Sequence, residues 1–283
     1  MISGSTRVTG VIGSPVRHSL SPAILNAAFR AVGADWICVA FEVPEGRAPE
    51  AIAAVRALGI GGLSVTMPHK ASVHDAVDEC TPVADALGAV NCVWWRGDRL
   101  VGDNTDGAGF VDALKRDEGI DVAGLRCVVV GAGGAGRAVA LALGEAGAAD
   151  IAIANRSPAP AARAAALAGE RGRVGAPGDI GAADLVVNAT PLGMGVVTRA
   201  DGTPEPLPLE PHALRPGQVV VDLIYHPATT PLLAAARGRG AVAVNGLGML
   251  IHQAAHAFRR WTGKDAPLEA MSAAAVAELT RRT

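Results

Sequence analysis

The stretch Arg126-Cys-Val-Val-Val-Gly-Ala-Gly-Gly-Ala-Gly-Arg137 decides the fold of this chain. Its apolar, β-branched start is typical of a buried parallel strand. Gly131, Gly133 and Gly136 follow at G-x-G-x-x-G spacing, and an alanine- and leucine-rich run then predicts a helix. The first glycine permits the tight turn, the second lets a ligand approach the backbone, and the third lets helix and strand pack closely. Strand, glycine turn and helix in this order predict a dinucleotide site at the helix N-terminus.

A second strand, Asp150 to Asn155, indicates which dinucleotide binds. Its end lies about 20 residues beyond the glycine turn, where such folds contact the adenine ribose. An NAD site places Asp or Glu there, whereas this chain has Asn155-Arg156-Ser157. Because a guanidinium forms charge-assisted bonds to a phosphate, we predict NADP rather than NAD. The alternative interpretation of Arg156 is an ordinary exposed turn residue.

Composition excludes several classes of protein. Half of the 283 residues are hydrophobic, and the net charge of −2 gives no reason to expect binding to nucleic acid or to an anionic membrane. Its four cysteines are far apart and form no C-x-x-C pair, which predicts neither a disulfide framework nor a zinc site. No uncharged apolar run reaches the ~18 residues of a membrane helix. We therefore expect a cytoplasmic protein without a metal.

The first hundred residues alternate strands with helices, which implies a mostly parallel sheet. Strands are predicted at Val8 to Ile12, Trp36 to Val43 and Gly61 to Thr66. Functional side chains of such sheets follow the carboxyl ends of strands, where Thr66 and Lys70 lie. The alternative for Lys70 is a solvated lysine at a helix start.

Two further polar positions are open to two interpretations. Ser21 is a candidate N-cap ahead of Pro22, or Ser19 and Ser21 offer a pair of hydroxyls to an anionic group. Asp106 precedes a helix through Phe110, so it is either an N-cap or a functional carboxylate.

Taken together, these segments show that the chain resembles the shikimate dehydrogenase family. The similarity runs from Gly13 to about Trp261. Eight short motifs carry it, in the family's order: Ser19-Leu-Ser21-Pro22, Ser64-Val-Thr66-Met-Pro-His-Lys70, Gly88-Ala-Val-Asn91, Asp103-Asn-Thr-Asp106-Gly, Gly131-Ala-Gly-Gly-Ala135, Asn155-Arg156-Ser157, Asn188-Ala-Thr190-Pro and Asn245-Gly-Leu-Gly-Met-Leu-Ile-His-Gln253.

The resemblance implies an α/β fold of two α/β/α domains. Residues 1–106 plus 246–283 would form a mostly parallel-sheet substrate domain, onto which the C-terminal helices return. Residues 107–245 would form a Rossmann domain that binds NADP. On this view the active site is the cleft between the domains.

It also implies NADPH-dependent reduction of 3-dehydroshikimate to shikimate in aromatic amino acid biosynthesis, with Lys70 and Asp106 as the catalytic pair. The implied substrate contacts are Ser19, Ser21, Thr66, Asn91, Tyr225 and Gln253. The implied cofactor contacts are Gly131, Ala132, Gly133, Gly134, Ala135, Asn155, Arg156, Ser157, Thr190, Leu223 and Gly246. Since a neighbouring carboxylate favours a charged ammonium, Lys70 beside Asp106 would act as the proton donor.

Alternatives remain at the level of substrate and activity. Ser64 stands where the family commonly has Asn, and Arg163 is the nearest basic residue to Pro160, where relatives often carry one. The competing hypotheses are a quinate or aminoshikimate dehydrogenase using NAD or NADP, and a non-catalytic NADP-responsive regulator. The sequence leaves both a monomer and a homodimer open.

Overall fold

The structure, a computed structural model, describes residues 2–194 and 206–282 and divides into two compact units. The first unit combines Met1–Thr105 with Ile251–Thr283, and the second is Asp106–Leu250. Each unit contains one sheet among the described residues.

The strands are, in chain order, β1 (Arg7–Gly13), β2 (Trp36–Glu42), β3 (Gly62–Val65), β4 (Glu79–Cys80), β5 (Cys92–Arg96), β6 (Arg99–Asp103), β7 (Arg126–Val130), β8 (Asp150–Ala154), β9 (Gly172–Val174), β10 (Leu185–Asn188), β11 (Val219–Asp222) and β12 (Val242–Asn245). The helices are α1 (Ser21–Ala31), α2 (Ala48–Leu58), α3 (Lys70–His74), α4 (Pro82–Leu87), α5 (Asp106–Asp117), α6 (Gly134–Glu145), α7 (Pro158–Leu167), α8 (Asp179–Ala182), α9 (Pro231–Gly238), α10 (Leu247–Thr262) and α11 (Leu268–Thr280).

The sheet of the first unit has the order β2-β1-β3-β5-β6-β4 among the described strands. It is mostly parallel, as predicted, but β5 runs antiparallel to both β3 and β6. The reason is local: only Gly97 and Asp98 separate β5 from β6, and a two-residue connection joins antiparallel strands. Consequently β6 regains the direction of β3.

Aromatic side chains attach the C-terminal helix α10 to this sheet. Phe258 lies 5.5 Å from Phe29 of α1, centroid to centroid, and Phe29 stacks on Trp36 of β2 at 5.7 Å. The Trp261 indole donates a hydrogen bond to the Val93 carbonyl of β5 at 2.9 Å. These buried contacts return the end of the chain to the first unit.

The start of α1 excludes one of the two interpretations of Ser21, namely the helix cap. Leu20, with helical φ of −82° and ψ of −13°, is the N-cap residue, so Ser21 is already the first helical residue and caps nothing. The Ser21 amide instead donates to Ser19 Oγ at 3.2 Å.

The second unit contains a parallel sheet of order β12-β11-β10-β7-β8-β9. The chain begins at the centre with β7, moves outward through β8 and β9, and then crosses to β10 on the other side. The order therefore reverses between β7 and β10, which is the Rossmann arrangement and places ligands at the carboxyl ends of these strands. The predicted fold class is confirmed.

Two glycines of the turn after β7 have specific steric roles. Gly131 has φ of 104°, a conformation that residues with a side chain rarely adopt. A Cβ at Gly136 would collide with the Gly131 carbonyl oxygen and would lie 3.4 Å from the Ala189 Cβ. Helix α6 therefore approaches the turn as closely as it does only because position 136 lacks a side chain.

A buried polar network joins the ends of β10 and β11. Asp222 is fully buried and accepts hydrogen bonds from Asn188 Nδ2 at 3.0 Å and Thr230 Oγ1 at 2.6 Å. Burial raises the pKa of the Asp222 carboxyl, and these donors oppose that shift. Thr230 also caps α9 by accepting from the Leu233 amide.

None of the helices in the described part of the chain is long and apolar enough to span a bilayer.

The Thr230 hydroxyl is expected to stabilise the second unit through its bonds to the Asp222 carboxylate and the Leu233 amide. Thr230→Ala should lower its free energy of unfolding by about 2 kcal/mol, because a helix cap is lost and a buried carboxylate loses a donor. All four tryptophans lie in the first unit, so the measurement is urea unfolding followed by far-ultraviolet circular dichroism and by amide exchange of β11 and α9.

Thr229→Ala is the matched control, since Thr229 is exposed and only accepts a surface bond from Arg237. Equal stability of the two variants would contradict the role assigned to the network.

Candidate active site

A polar edge forms where three strands of the first unit's sheet end or begin together. Strands β3 and β6 point the same way and β5 opposes them, so the carboxyl ends of β3 and β6 meet the amino end of β5. Backbone bonds align the edge: the Val65 amide donates to the Asn91 carbonyl at 2.8 Å, and the Asn91 amide donates to the Asp103 carbonyl at 2.9 Å. The residues directly after β3 and β6, and before β5, therefore lie side by side.

Lys70 is the first residue of α3 and follows this edge. Its carbonyl accepts from the Val90 amide at 2.8 Å, which ties the start of α3 to the residue before Asn91. The preceding His69 is 1% exposed, and its Nε2 lies 2.8 Å from the Val43 carbonyl oxygen. Lys70 itself is half-buried, so the backbone beneath it is fixed while its side chain retains access to solvent.

The Asn91 side chain bridges to the segment after β6. Its Oδ1 accepts from the Thr105 amide at 2.8 Å, and its Nδ2 lies 3.1 Å from Thr105 Oγ1. Both residues are buried, at 3% exposure each, so these bonds are shielded from competing water. Asn91 thus fixes the backbone of Thr105, the residue directly before Asp106.

Thr105 is a residue of this edge that has no role among the predicted site residues. Its hydroxyl lies 3.2 Å from the Gln253 carbonyl oxygen of α10 as well as contacting Asn91. It therefore connects two of the predicted substrate contacts. The available signal in the sequence was its place in the polar run Asp103 to Asp106, directly after an apolar strand.

Thr66 lies against the end of β1. Its amide donates to the Ile12 carbonyl at 2.9 Å, and a Cβ at Gly13 would be 2.5 Å from its Cγ2. The Ser14 amide donates to the Met67 carbonyl at 3.0 Å, so the loops after β1 and β3 adjoin. The β1 loop leads to Ser19, which is half-buried, and Ser21, which is 6% exposed.

Asp103, the last residue of β6, supports this polar edge through bonds to three other residues. Its carboxylate accepts from Thr81 Oγ1 at 2.6 Å and from the Asn104 amide at 2.8 Å, and it pairs with Arg260 of α10 at 3.0 Å. The Arg260 guanidinium also lies 4.9 Å from the Trp94 ring centroid. Asp103 is therefore fully engaged in structure.

The structure places the predicted site residues in both units. Ser19, Ser21, Thr66, Lys70, Asn91 and Gln253 belong to the first unit. Asp106 is the first residue of the second unit, where it begins α5 and is 8% exposed. Tyr225, half-buried, follows β11 in the same unit.

The predicted cofactor contacts lie at the carboxyl ends of strands in the second unit. The Ala132 amide, within the glycine turn after β7, donates to Asn155 Oδ1 at 3.2 Å, and Asn155 Nδ2 donates to the Ser157 carbonyl at 3.0 Å. Asn155 thus joins the turn after β7 to the turn after β8. Of the remaining contacts, Thr190 follows β10, Leu223 follows β11 and Gly246 follows β12.

Thr190 and Leu223 are held by the buried network at β10. The Thr190 hydroxyl donates to Asn188 Oδ1 at 2.7 Å, and the Leu223 amide donates to the Asn188 carbonyl at 3.0 Å. A Cβ at Gly246 would collide with the Leu223 carbonyl oxygen. These three positions therefore form one connected rim beside the glycine turn.

The described residues fit a dinucleotide with a 2′-phosphate. A Cβ at Gly133 or Gly134, where α6 begins, would meet no protein atom within 4 Å, so the helix N-terminus has open space for a phosphate group. Arg156 is exposed, and no group of the described residues binds its guanidinium. An exposed cation beside this open helix N-terminus suits NADP.

Two family models match parts of the chain, and a similar protein matches nearly its full length. A family model described as shikimate dehydrogenase substrate binding domain matches residues 11–93, and one described as shikimate 5'-dehydrogenase C-terminal domain matches residues 246–276. The NADP(+) shikimate dehydrogenase of Symbiobacterium thermophilum is 46% identical, over 98% of this chain and 96% of that protein.

Solved structures are similar in fold as well as in sequence. A shikimate dehydrogenase in complex with NADP+ has a TM-score of 0.88 and 38% identity, covering 99% of this chain and 98% of the other. Shikimate 5-dehydrogenase from Thermus thermophilus in complex with NADP(H) and shikimate has a TM-score of 0.86 and 36% identity, covering 96% and 100%. With relatives matched along nearly its full length, the chain belongs to the shikimate dehydrogenase family.

Proposed function

We propose that this chain catalyses the reversible NADPH-dependent reduction of 3-dehydroshikimate to shikimate, a step in aromatic amino acid biosynthesis. The observation that carries the proposal is the polar edge of the first unit, where Asn91 and Thr105 join the start of the Lys70 helix to the backbone before Asp106. A regulator that only senses NADP has no need of this arrangement.

The chemistry of the substrate matches the polar groups at this edge. 3-Dehydroshikimate is a cyclohexene carboxylate with a ketone and two hydroxyls. Ser19 and Ser21, near the start of α1, are proposed to hold the carboxylate through hydroxyl hydrogen bonds, with Tyr225 as a further contact. Amide and hydroxyl groups both donate and accept, so Thr66, Asn91 and Gln253 are proposed to bind the ring hydroxyls.

Lys70 is proposed to supply the proton. The nicotinamide, when bound, supplies hydride chemistry, and the chain must stabilise the negative oxygen that forms as the carbonyl is reduced. A Lys70 ammonium within hydrogen-bonding reach of that oxygen stabilises its charge and donates a proton to it. In the reverse direction the Lys70 amine accepts the proton of the substrate hydroxyl.

Asp106 is proposed to orient this lysine and to accept a hydrogen bond from the substrate hydroxyl. The backbone before Asp106 is fixed by the bonds of Thr105 to Asn91, so the position of the carboxylate is constrained from the first unit's side of the chain.

For the cofactor, the proposal assigns each group a part of NADP. The amides of Gly133 to Ala135 bind the pyrophosphate at the start of α6, and Arg156 with Ser157 binds the 2′-phosphate. Asn155 positions both turns, and Thr190, Leu223 and Gly246 line the rim for the rest of the cofactor.

A cytoplasmic location is part of the proposal, since Cys38, Cys80, Cys92 and Cys127 are all free thiols, as expected in a reducing compartment. Light scattering of the purified chain decides between the monomer and the homodimer that the sequence leaves open.

The proposed function is tested by offering the purified chain shikimate or quinate, each with NADP+ or NAD+, and following the absorbance of the reduced nicotinamide. Shikimate with NADP+ should give the highest kcat/KM. A higher value with quinate would contradict the substrate assignment, and no reduction with any pair would favour the regulator.

The same assay tests the phosphate contact. Arg156→Ala should raise the KM for NADP+ by about 10-fold or more, because charge-assisted bonds are lost, and should leave the KM for NAD+ unchanged. Arg171→Ala is the control: its Nη1 donates to the Gly144 carbonyl at 3.2 Å, at the opposite end of α6 from the glycine turn. An equal loss with both cofactors would contradict the assignment.

Removing the proposed proton donor should slow the chemical step selectively. Lys70→Ala is expected to lower kcat by about 10²-fold or more while changing the dissociation constant of NADPH little. Lys70→Arg keeps the positive charge but does not titrate, so it should remain strongly impaired. Steady-state kinetics and calorimetric NADPH binding provide the two readouts.

Lys115→Ala is the matched control, because Lys115 forms only an exposed pair with Asp121 at 3.1 Å. If Lys70→Ala lost cofactor affinity and turnover to the same extent, the assignment of Lys70 as proton donor would be wrong.

A further inference from the structure

A cluster of a histidine, a cysteine and an aspartate lies on the first unit, among residues to which the proposed reaction gives no role. His74 ends α3, Cys80 ends β4 and Asp85 lies in the first turn of α4. Each offers one potential ligand atom, and these atoms all lie within 4.8 Å of one another. Among the described residues, this is the group of three His, Cys, Asp or Glu side chains that lie close enough to share a metal ion.

We propose that His74, Cys80 and Asp85 bind a zinc ion. Imidazole nitrogen, thiolate sulfur and carboxylate oxygen are the three ligand types that zinc uses in proteins. Bonds of about 2.0 to 2.3 Å in tetrahedral geometry place ligand atoms about 3.3 to 3.7 Å apart, so small side-chain rotations close the present spacing around a metal. The fourth position is left to a water molecule.

The histidine is already oriented as in known zinc sites. His74 Nε2 lies 3.1 Å from Asp85 Oδ1, and its Nδ1 lies 3.0 Å from Asp75 Oδ1. Zinc-binding imidazoles commonly bond a carboxylate through the nitrogen that does not bind the metal. Asp75 therefore acts as a positioning residue, leaving Nε2 for the ion beside Asp85.

Cys80 is held against the backbone of His74. Its thiol lies 3.7 Å from the His74 carbonyl oxygen and is half-buried. On binding, zinc displaces the thiol proton to solvent: the S–H bond breaks, the Zn–S bond forms, and no electron is transferred.

Charge and exposure both suit a cation. Asp75 and Asp85 give the site two carboxylates, and their side chains are 82% and 62% exposed, so an ion from solution can reach them. The three ligands fall within twelve residues of the chain, from His74 to Asp85, so little additional ordering is needed to assemble them. The cysteine pattern gives no hint of zinc because histidine and aspartate take the place of a second cysteine.

Zinc binding at this cluster is tested on the purified full chain by calorimetry with zinc and by the absorption spectrum with cobalt. The expected result is one zinc ion per chain and an intense visible cobalt spectrum with a near-ultraviolet thiolate band. His74→Gln and Cys80→Ser should each weaken zinc binding by about 10-fold or more, and Asp75→Asn by about 10-fold. The thiolate band should be absent from Cys80→Ser.

Zinc should also raise the unfolding temperature of the wild type and not of these two ligand variants, because a metal that binds only the folded state stabilises it. His212→Gln is the control, since His212 is an exposed histidine 3.8 Å from Glu210 in the second unit and should leave binding unchanged. Absence of zinc binding, binding that both ligand variants retain, or a cobalt spectrum without the thiolate band would each overturn the proposal. The wild-type cobalt spectrum decides even if a variant fails to fold.

Discussion

The polar edge of the first unit depends on the hydrogen bonds between the buried Asn91 side chain and Thr105. The side-chain carbonyl oxygen of Asn91 accepts from the Thr105 amide, its amide group contacts the Thr105 hydroxyl, and the same hydroxyl reaches the backbone at Gln253. The neighbouring Val90 amide binds the Lys70 carbonyl. Val90, Asn91 and Thr105 therefore join helix α3, the segment after β6 and helix α10, and the proposed chemistry requires that rigidity.

In the second unit, the glycine turn must let a large anion approach the protein backbone closely. Gly131 supplies a backbone conformation that other residues rarely adopt, and Gly136 permits the close packing of α6. The side-chain amide of Asn155 then fixes the spacing between the turns after β7 and β8. The proposed substrate contacts of the first unit and the proposed cofactor contacts of the second unit thus follow the strands of two separate sheets.

Local sequence patterns predict much of the fold and most of the candidate site residues. The strand, glycine turn and helix after Arg126 predict the Rossmann unit, and the alternation before it predicts a mostly parallel sheet. The pattern does not predict that β5 is antiparallel, because apolar residues do not indicate the direction of a strand. The short connection at Gly97 determines the direction of β5 relative to β6. Of the two interpretations of Ser21, the cap is wrong because Leu20 already has helical dihedral angles. The role of Thr105 depends on a contact with Gln253, 148 residues away, which no local pattern contains.

Lys70 and Asp106 are proposed to act as one catalytic unit, and a double-mutant cycle measures the coupling between them. The kcat for shikimate oxidation is measured for Lys70→Ala, Asp106→Asn and the double variant. Groups that act together are lost together, so the double variant should be within about threefold of the slower single variant. Losses that multiply in the double variant would show that the two side chains act independently and would contradict their role as one catalytic unit.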